Sequence, residues 1–425
     1  MRVARPVAFP AVFRRHLRLI AIAVFVSSAI VQAAAGSLVA ALPPAAGQLA
    51  ADGSRPDPQS MAEEQLAAIG FEGALDGFLK EAQAQYGRYF QPPDWKAILT
   101  GDGGKNQGGG KGQQGLHDLA TGAARFFFAQ VWGNAVVLGQ LVALAAMLAI
   151  FYNLASSFGD SSFQEVAFLG AYLVLILLGV QSFTAVMDYA RQAILDMEGL
   201  MEALLPVLTA LLVAGGAISS AATLSPIVLG AAATVSNAVD RFVLPLLFLA
   251  AVLALVGSLS QRFPAERASG LMRQAGIVLL GVIFTSFLGL MIIRGAVAPV
   301  GDAVAVRTGK FLVKLVPVIG SMFADSVEVV AGYTQLAKGA AAAAGMALVL
   351  IFSLFPILKI LGVVAVYKMA GILIQPIGDP RLTKAIGELE KGFVAVSLAV
   401  GVVAVMFFVS LSMVVGLGNL SLLLR

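Results

Sequence analysis

Cysteine is absent from the 425-residue sequence, and histidine occurs only twice, at His16 and His117. Disulfides, thiol nucleophiles and cysteine metal sites are therefore excluded, and a His/Cys metal cluster has no residues from which to be built. Charge is also scarce: Asp, Glu, Lys and Arg make up 12% of the chain, against roughly 25% in soluble domains. Hydrophobic residues make up 59%, and such a composition belongs to a polytopic membrane protein. No serine–histidine or aspartyl pair sits in a recognisable motif, so neither enzymatic activity nor a cofactor is expected.

The formal net charge is +4, but Arg2, Arg5, Arg14, Arg15 and Arg18 lie in a leader that contains no acid. The basic balance belongs to that leader and implies no nucleic-acid partner. Residues 1–35 read as a secretory signal: the arginines precede an apolar core, Leu19 to Val31, and Ala33 and Ala35 offer a cleavage pair. Apolar residues continue to Leu42, so an uncleaved anchor is the alternative; either way the following segment is exported.

Residues 36–128 form that exported arm. Ser60 and Glu63 fit a capping box, and Leu66, Ile69, Leu75, Phe78 and Leu79 give a rough helical stripe. Gly101 to Gly115, GDGGKNQGGGKGQQG, reads as a flexible linker, because no phosphate-loop motif follows a strand. The arm is expected to be partly ordered and to bury little core.

The remainder predicts an all-α membrane domain of six to eight spans with re-entrant or broken helices. Val131–Tyr152 and Val166–Met187 form a first helix pair within 129–187, and Phe242–Leu259, Ile277–Ile293 and Phe393–Leu417 are further spans. Three stretches are irregular. Leu204–Val239 carries Pro206, Gly215, Gly216, Ser219, Ser220 and Pro226; Phe311–Phe323 carries Pro317 and Gly320; Ala340–Leu373 is interrupted by Pro356 and Lys359. Irregular backbone survives at membrane depth only against protein or a wet cavity. These ten residues are therefore the candidates for lining a path or a packing surface, with a turn expected near Gly215–Ser220.

LPV at Leu205–Val207 recurs as VPV at Val316–Val318, and LPL at Leu244–Leu246 as FPI at Phe355–Ile357, both 111 positions on. GLMRQAG from Gly270 aligns with RLTKAIG from Arg381 at the same offset. This predicts two membrane repeats, 188–298 and 299–425. The positive-inside rule places Arg262, Arg267 and Arg273, and then Arg381, Lys384 and Lys391, in the cytoplasm, with Arg294, Arg307, Lys310 and Lys314 on the far side.

Charges within apolar segments mark function more often than chance. Lys359 is the most isolated, with a snorkelling side chain as its plainer reading. Lys314 and Lys368 are further candidates, whereas Asp240-Arg241 reads better as an interfacial boundary and Asp325 with Glu328 as a solvated hairpin edge. No carboxylate is expected deep in a well-defined span, which argues against a proton-driven pump.

Taken in order, LLPVLTALLVAGGAISSA, VLPLLFLAAVL, VAVRTGKFLVKLVPVIGSMFADSVEVV, FPILKI and LIQPIGDP resemble the stage III sporulation protein AE family, across roughly residues 190–415. The resemblance implies a multi-pass protein in the mother-cell membrane around the forespore, its arm in the intermembrane space. It implies as partners ring-forming membrane proteins, a cytoplasmic secretion-type ATPase and a forespore-side protein. It implies no catalytic residue. The function expected is a core subunit of a trans-envelope channel; the alternatives are a self-sufficient small-solute transporter and a structural scaffold.

Overall fold

A backbone in hydrocarbon must satisfy its own hydrogen bonds, and long apolar runs without a strand period do so as helices. The computed structural model describes Ala62, 66–68, 70–89, 111–158, 161–214, 217–259, 265–314, 319–376 and 379–423, all within the compact unit Asp57–Arg425. Among these residues every element is helical: α1 (Phe71–Tyr86), α2 (Lys111–Gly133), α3 (Ala135–Phe158), α4 (Ser161–Ala214), α5 (Ile218–Ala238), a π-helical turn (Val239–Val243), α6 (Leu244–Leu259), α7 (Ala265–Lys314), α8 (Ile319–Ile374) and α9 (Pro380–Leu423). Six stretches of the described residues are long and apolar enough to cross a membrane: Ala135–Leu154, Glu165–Ala214, Ser220–Gly257, Arg267–Arg294, Leu336–Ile374 and Pro380–Val414. The signal segment, Gly215, Gly216 and Pro317 lie outside the described residues.

The helices are far longer than single spans. With 54 residues, α4 extends about 80 Å at 1.5 Å per residue. The segment Leu204–Val239, expected as a hairpin of its own, is divided instead: its first part finishes α4 and its second part is α5, so the break between Ala214 and Ile218 is the turn of a much larger hairpin. Boundaries at 128/129, 187/188 and 298/299 fall within α2, α4 and α7, each of which is continuous there.

The interruption expected at Pro356 and Lys359 is absent, for α8 runs unbroken through both. Proline removes one helical donor, but Pro356 is buried and Phe352 and Phe355 beside it are fully packed, so neighbouring helices hold the turn in place. Pro245 is handled differently. Its ring would clash with the carbonyl four residues back, at Arg241, and the chain widens there into the π-helical turn, with Leu244 N–H bonding Val239 O, five residues back.

The core lies where α4, α6, α8 and α9 meet. Phe183 stacks on Phe393 at 5.2 Å and meets Phe248 at 5.8 Å, and Tyr367 packs edge-on against Phe393 at 5.0 Å. Tyr367 Oη donates to Ser182 Oγ at 2.8 Å, and Tyr172 Oη to Leu255 O at 2.5 Å. At one end of the bundle Tyr152 Oη donates to Asp379 Oδ2 at 2.8 Å, and Arg381 lies over Phe168. These contacts gather the end of α3, the start of α4 and the α8–α9 connection together, while the Tyr172–Leu255 bond brings in the end of α6.

The described part of the arm is docked against the helices. Gly70, at φ 77°, lets the chain turn sharply into α1, and Leu66, Phe71 and Leu75 are fully buried. Phe78 meets Phe352 edge-on at 6.1 Å; Tyr86 stacks on Phe355 at 4.4 Å, and Phe126 of α2 meets Phe355 at 5.0 Å. Burial and the nearby carboxylates of Asp196 and Glu81 raise the Tyr86 phenol above its ordinary range. The last residues of the glycine-rich stretch, from Lys111, are the start of α2.

Candidate functional site

The break between α4 and α5 is built from residues that terminate helices gently. Ala217 N–H reaches Leu212 O, five residues back, at 2.9 Å, and Ala221 N–H then bonds Ala217 O at 3.0 Å as α5 begins. Ala217 and Ser220 are buried among Leu208, Leu211 and Leu212 of the same core. Only small side chains allow the two helices to converge so closely at the turn.

An open cleft of about 460 Å³ lies beside it, lined by Pro206, Thr209, Ala210 and Val213 of α4 and by Ala221, Ala222 and Ser225 of α5. Pro206 leaves the Glu202 carbonyl without its helical donor, and Pro226 does the same to the Ala222 carbonyl on the cleft wall. Thr209 Oγ1 turns back to donate to Pro206 O at 2.9 Å. The cleft therefore combines small residues with backbone oxygens freed by proline.

Of the residues expected here, Pro206 lines the cleft, Ser220 is buried behind it, and Pro226 stands exposed one turn beyond Ala222. Ser219 lies in the first turn of α5, and Gly320 in the first turn of α8. Pro356 belongs elsewhere, beside the aromatic cluster that holds the arm. Lys359 is also distant from the cleft in sequence and packing: its Nζ lies over the Tyr189 ring.

Below the cleft α4 carries polar groups that the sequence reading assigned to no span. Arg191 Nε pairs with Asp240 Oδ1 at 2.8 Å, Ser236 Oγ donates to Glu198 Oε2, and Gln192 Nε2 donates to Asp196 Oδ1 at 2.6 Å. In the sequence Gln181, Thr184, Asp188 and Arg191 follow one another at spacings of three and four, the first two within the span Val166–Met187 and the others beyond its end.

A buried carboxylate lies at the start of α9, ahead of the apolar run Phe393–Leu417. Glu388 is 8% exposed within the membrane-length stretch of α9, accepting from Arg273 Nη1 of α7 at 2.9 Å and from Lys391 Nζ at 2.5 Å. Lys368 pairs with Glu390 at 3.3 Å. These charges lie in the amphipathic start of α9, read from sequence as a loop; continuous helix carries them into the bundle.

The model of the family described as stage III sporulation protein AE matches residues 105–418. The chain belongs to the stage III sporulation protein AE family. A stage III sporulation protein AE of Bacillus subtilis (strain 168) is 32% identical over 301 residues, covering 71% of this chain and 75% of the relative. No solved structure matches. The family region spans the break, the cleft and the polar part of α4, whereas α1 lies outside it.

Proposed function

We propose that this sporulation membrane protein is an integral core subunit of a channel or secretion-like apparatus between mother cell and forespore, required for late forespore development. In this reading it resides in the outer forespore membrane with its arm in the intermembrane space. Ring-forming membrane proteins, a cytoplasmic ATPase and a forespore-side protein are its partners, and the chain itself carries no catalytic site. The observation that supports the reading is the cleft at the α4–α5 break: it lies within membrane-length helices, is walled mainly by small apolar residues with Thr209 and Ser225 among them, and is open on one side. A transporter acting alone would need to enclose its solute; an open half-site suits a subunit completed by neighbours.

The test is affinity purification from sporulating cells, paired with reconstitution of the purified chain in liposomes. Ring and ATPase components should co-purify, and the chain alone should move no small solute. Uptake by the chain alone, without those components bound, would identify a self-sufficient permease instead.

A further inference from the structure

Heights along the bundle can be read from its contacts. Helix α4 runs antiparallel to α5 and α6, with Phe183 beside Phe248, Arg191 paired with Asp240, and Glu198 bonded to Ser236. Helix α7 packs against α6, α5 and α9, and the register is set where a side chain on Gly276 would meet Leu247. From there α7 rises along α6, the π-helical turn and α5 at the same 1.5 Å per residue. Its exposed Val278, Val282, Ile292 and Ile293 thus stand at the heights of α4 residues from about Phe183 to Glu202.

At those heights the two outward faces differ in charge. The α7 face carries no ionised group from Ile277 to Ile293: Ile292 is 71% and Ile293 63% exposed, Thr285 and Ser286 are exposed between the aliphatic residues, and Arg294 follows at the upper end. The α4 face presents Gln181, Thr184, Asp188 and Arg191 at spacings of three and four, then the exposed Leu195, Glu202 and Pro206 on the same side, with Val213 beyond them in the cleft. On α5, Thr234, Asn237 and, past it, Arg241 are exposed in the same way. Lower on α4 the exposed residues are again aliphatic: Val166, Leu169, Leu173 and Leu177. A face without ionised groups on α7 suits lipid, but ionised groups at the same depth on α4 cannot face hydrocarbon.

A second observation comes from α1. Phe78 of α1 packs beside Gly199 of α4, yet the other side of α1 displays the Lys80–Asp76 pair with side chains 76% and 58% exposed. Water therefore reaches the height of Gly199 on this flank of the bundle.

We infer that the stripe from Gln181 to Val213, with the exposed face of α5, is the wall of a water-filled path at bilayer depth that opens through the α4–α5 cleft. Asp188, Glu198, Glu202 and Asp240 outweigh Arg191 and Arg241 there, so the wall admits cations and neutral solutes in preference to anions. The inference deepens the proposed channel role and rests on it for what travels along the path; the wetness of the wall does not depend on partners.

The native chain has no cysteine, so single cysteines report cleanly. They would be placed at Thr184, Asp188, Leu195 and Glu202 on the stripe and at Val282 and Ile292 on α7, in the full-length protein in sporulating-cell membranes. Charged, membrane-impermeant methanethiosulfonates should modify the stripe about tenfold faster than the α7 positions. At Leu195→Cys the cationic reagent should outpace the anionic one about threefold, after correction for their rates with free thiol. Stripe cysteines as slow as those on α7 would overturn the path. Equal, rapid reaction at Val282→Cys and Ile292→Cys would also overturn it, by placing this height outside the bilayer. An equal or reversed charge preference would overturn the acidic wall. Labelling of the stripe without co-purifying partners would count against the assembly role alone, and the converse against the path alone.

Discussion

Lys359 Nζ lies 3.7 Å from the centroid of the Tyr189 ring. The lysine that stood most isolated in the sequence has an aromatic partner on α4, 170 positions earlier, and both ends of the contact lie within membrane-length helices. A cation over a ring face gains about 0.5–2 kcal/mol, most where solvent is excluded. A double-mutant cycle of Lys359→Met and Tyr189→Leu, read by unfolding in mixed detergent, should give a coupling of about 1 kcal/mol. A coupling near zero would return Lys359 to a side chain that snorkels past its neighbours.

Glu388 joins α7 to α9 through Arg273 and stays paired within α9 through Lys391. Removing the carboxylate leaves the partly buried Arg273 without this partner, while the half-exposed Lys391 is solvated, so Glu388→Ala should destabilise by about 1–3 kcal/mol. Arg273→Met should cost clearly less, because Lys391 still compensates the carboxylate. Thermal unfolding of the purified variants would check the order; equal losses would show that Lys391 contributes nothing.

Helices α4 and α8 approach closely at Gly345. A methyl there would stand 2.6 Å from Leu204 Cδ1, whereas one at Gly281 on α7 would meet nothing within 4 Å. Gly345→Ala should therefore destabilise by about 1–3 kcal/mol through overpacking. Gly281→Ala should be neutral or stabilise by about 0.5–1 kcal/mol through lost unfolded-chain entropy. Melting temperatures moving together would sink the distinction.

The arm is held by aromatic contacts from α1, α2 and α8 that converge on Phe355. Truncating Phe126 should cost about 3–5 kcal/mol of docking and packing energy. In Phe126→Ala, trypsin should cut at the exposed Arg88 well before it does in the wild type, while the membrane helices remain intact. Unchanged cleavage kinetics would mean that the arm docks by other contacts.

At the break itself, replacing Gly215 and Gly216 together by leucine should abolish sporulation function while membrane insertion persists. Ser220→Leu, which forces volume into a fully buried position, should destabilise by about 1–3 kcal/mol. Normal spore counts in the double glycine variant would make the break incidental to function.

Much of this was legible beforehand because hydrophobicity is a local property. Runs such as Ile277–Ile293 name their own helix by length and composition. The break was legible too, since Gly-Gly followed by Ser-Ser is poor helix material wherever it occurs. Proline was a less reliable guide. Pro206, Pro226 and Pro356 all lie inside continuous helices; Pro356 is held there by packed neighbours, and neighbours are not written in the local sequence. The charged residues of α4 were not legible as part of a span for the opposite reason: they lie between the apolar runs Val166–Met187 and Leu204–Val239, and only the continuous helix joins those runs.

By itself the sequence determined that this is a helical membrane protein, which family it resembles, and where its longest apolar segment must turn. Those conclusions rest on composition, order and backbone propensity, each of which acts over a few residues. Only the tertiary structure decided that Lys359 meets Tyr189, that Glu388 is shared by Arg273 and Lys391, and that the arm docks on Phe355. It also set ionised residues on α4 level with a face of α7 that carries none from Ile277 to Ile293. Such pairings depend on helix register and direction, which packing between distant segments selects and no local pattern specifies.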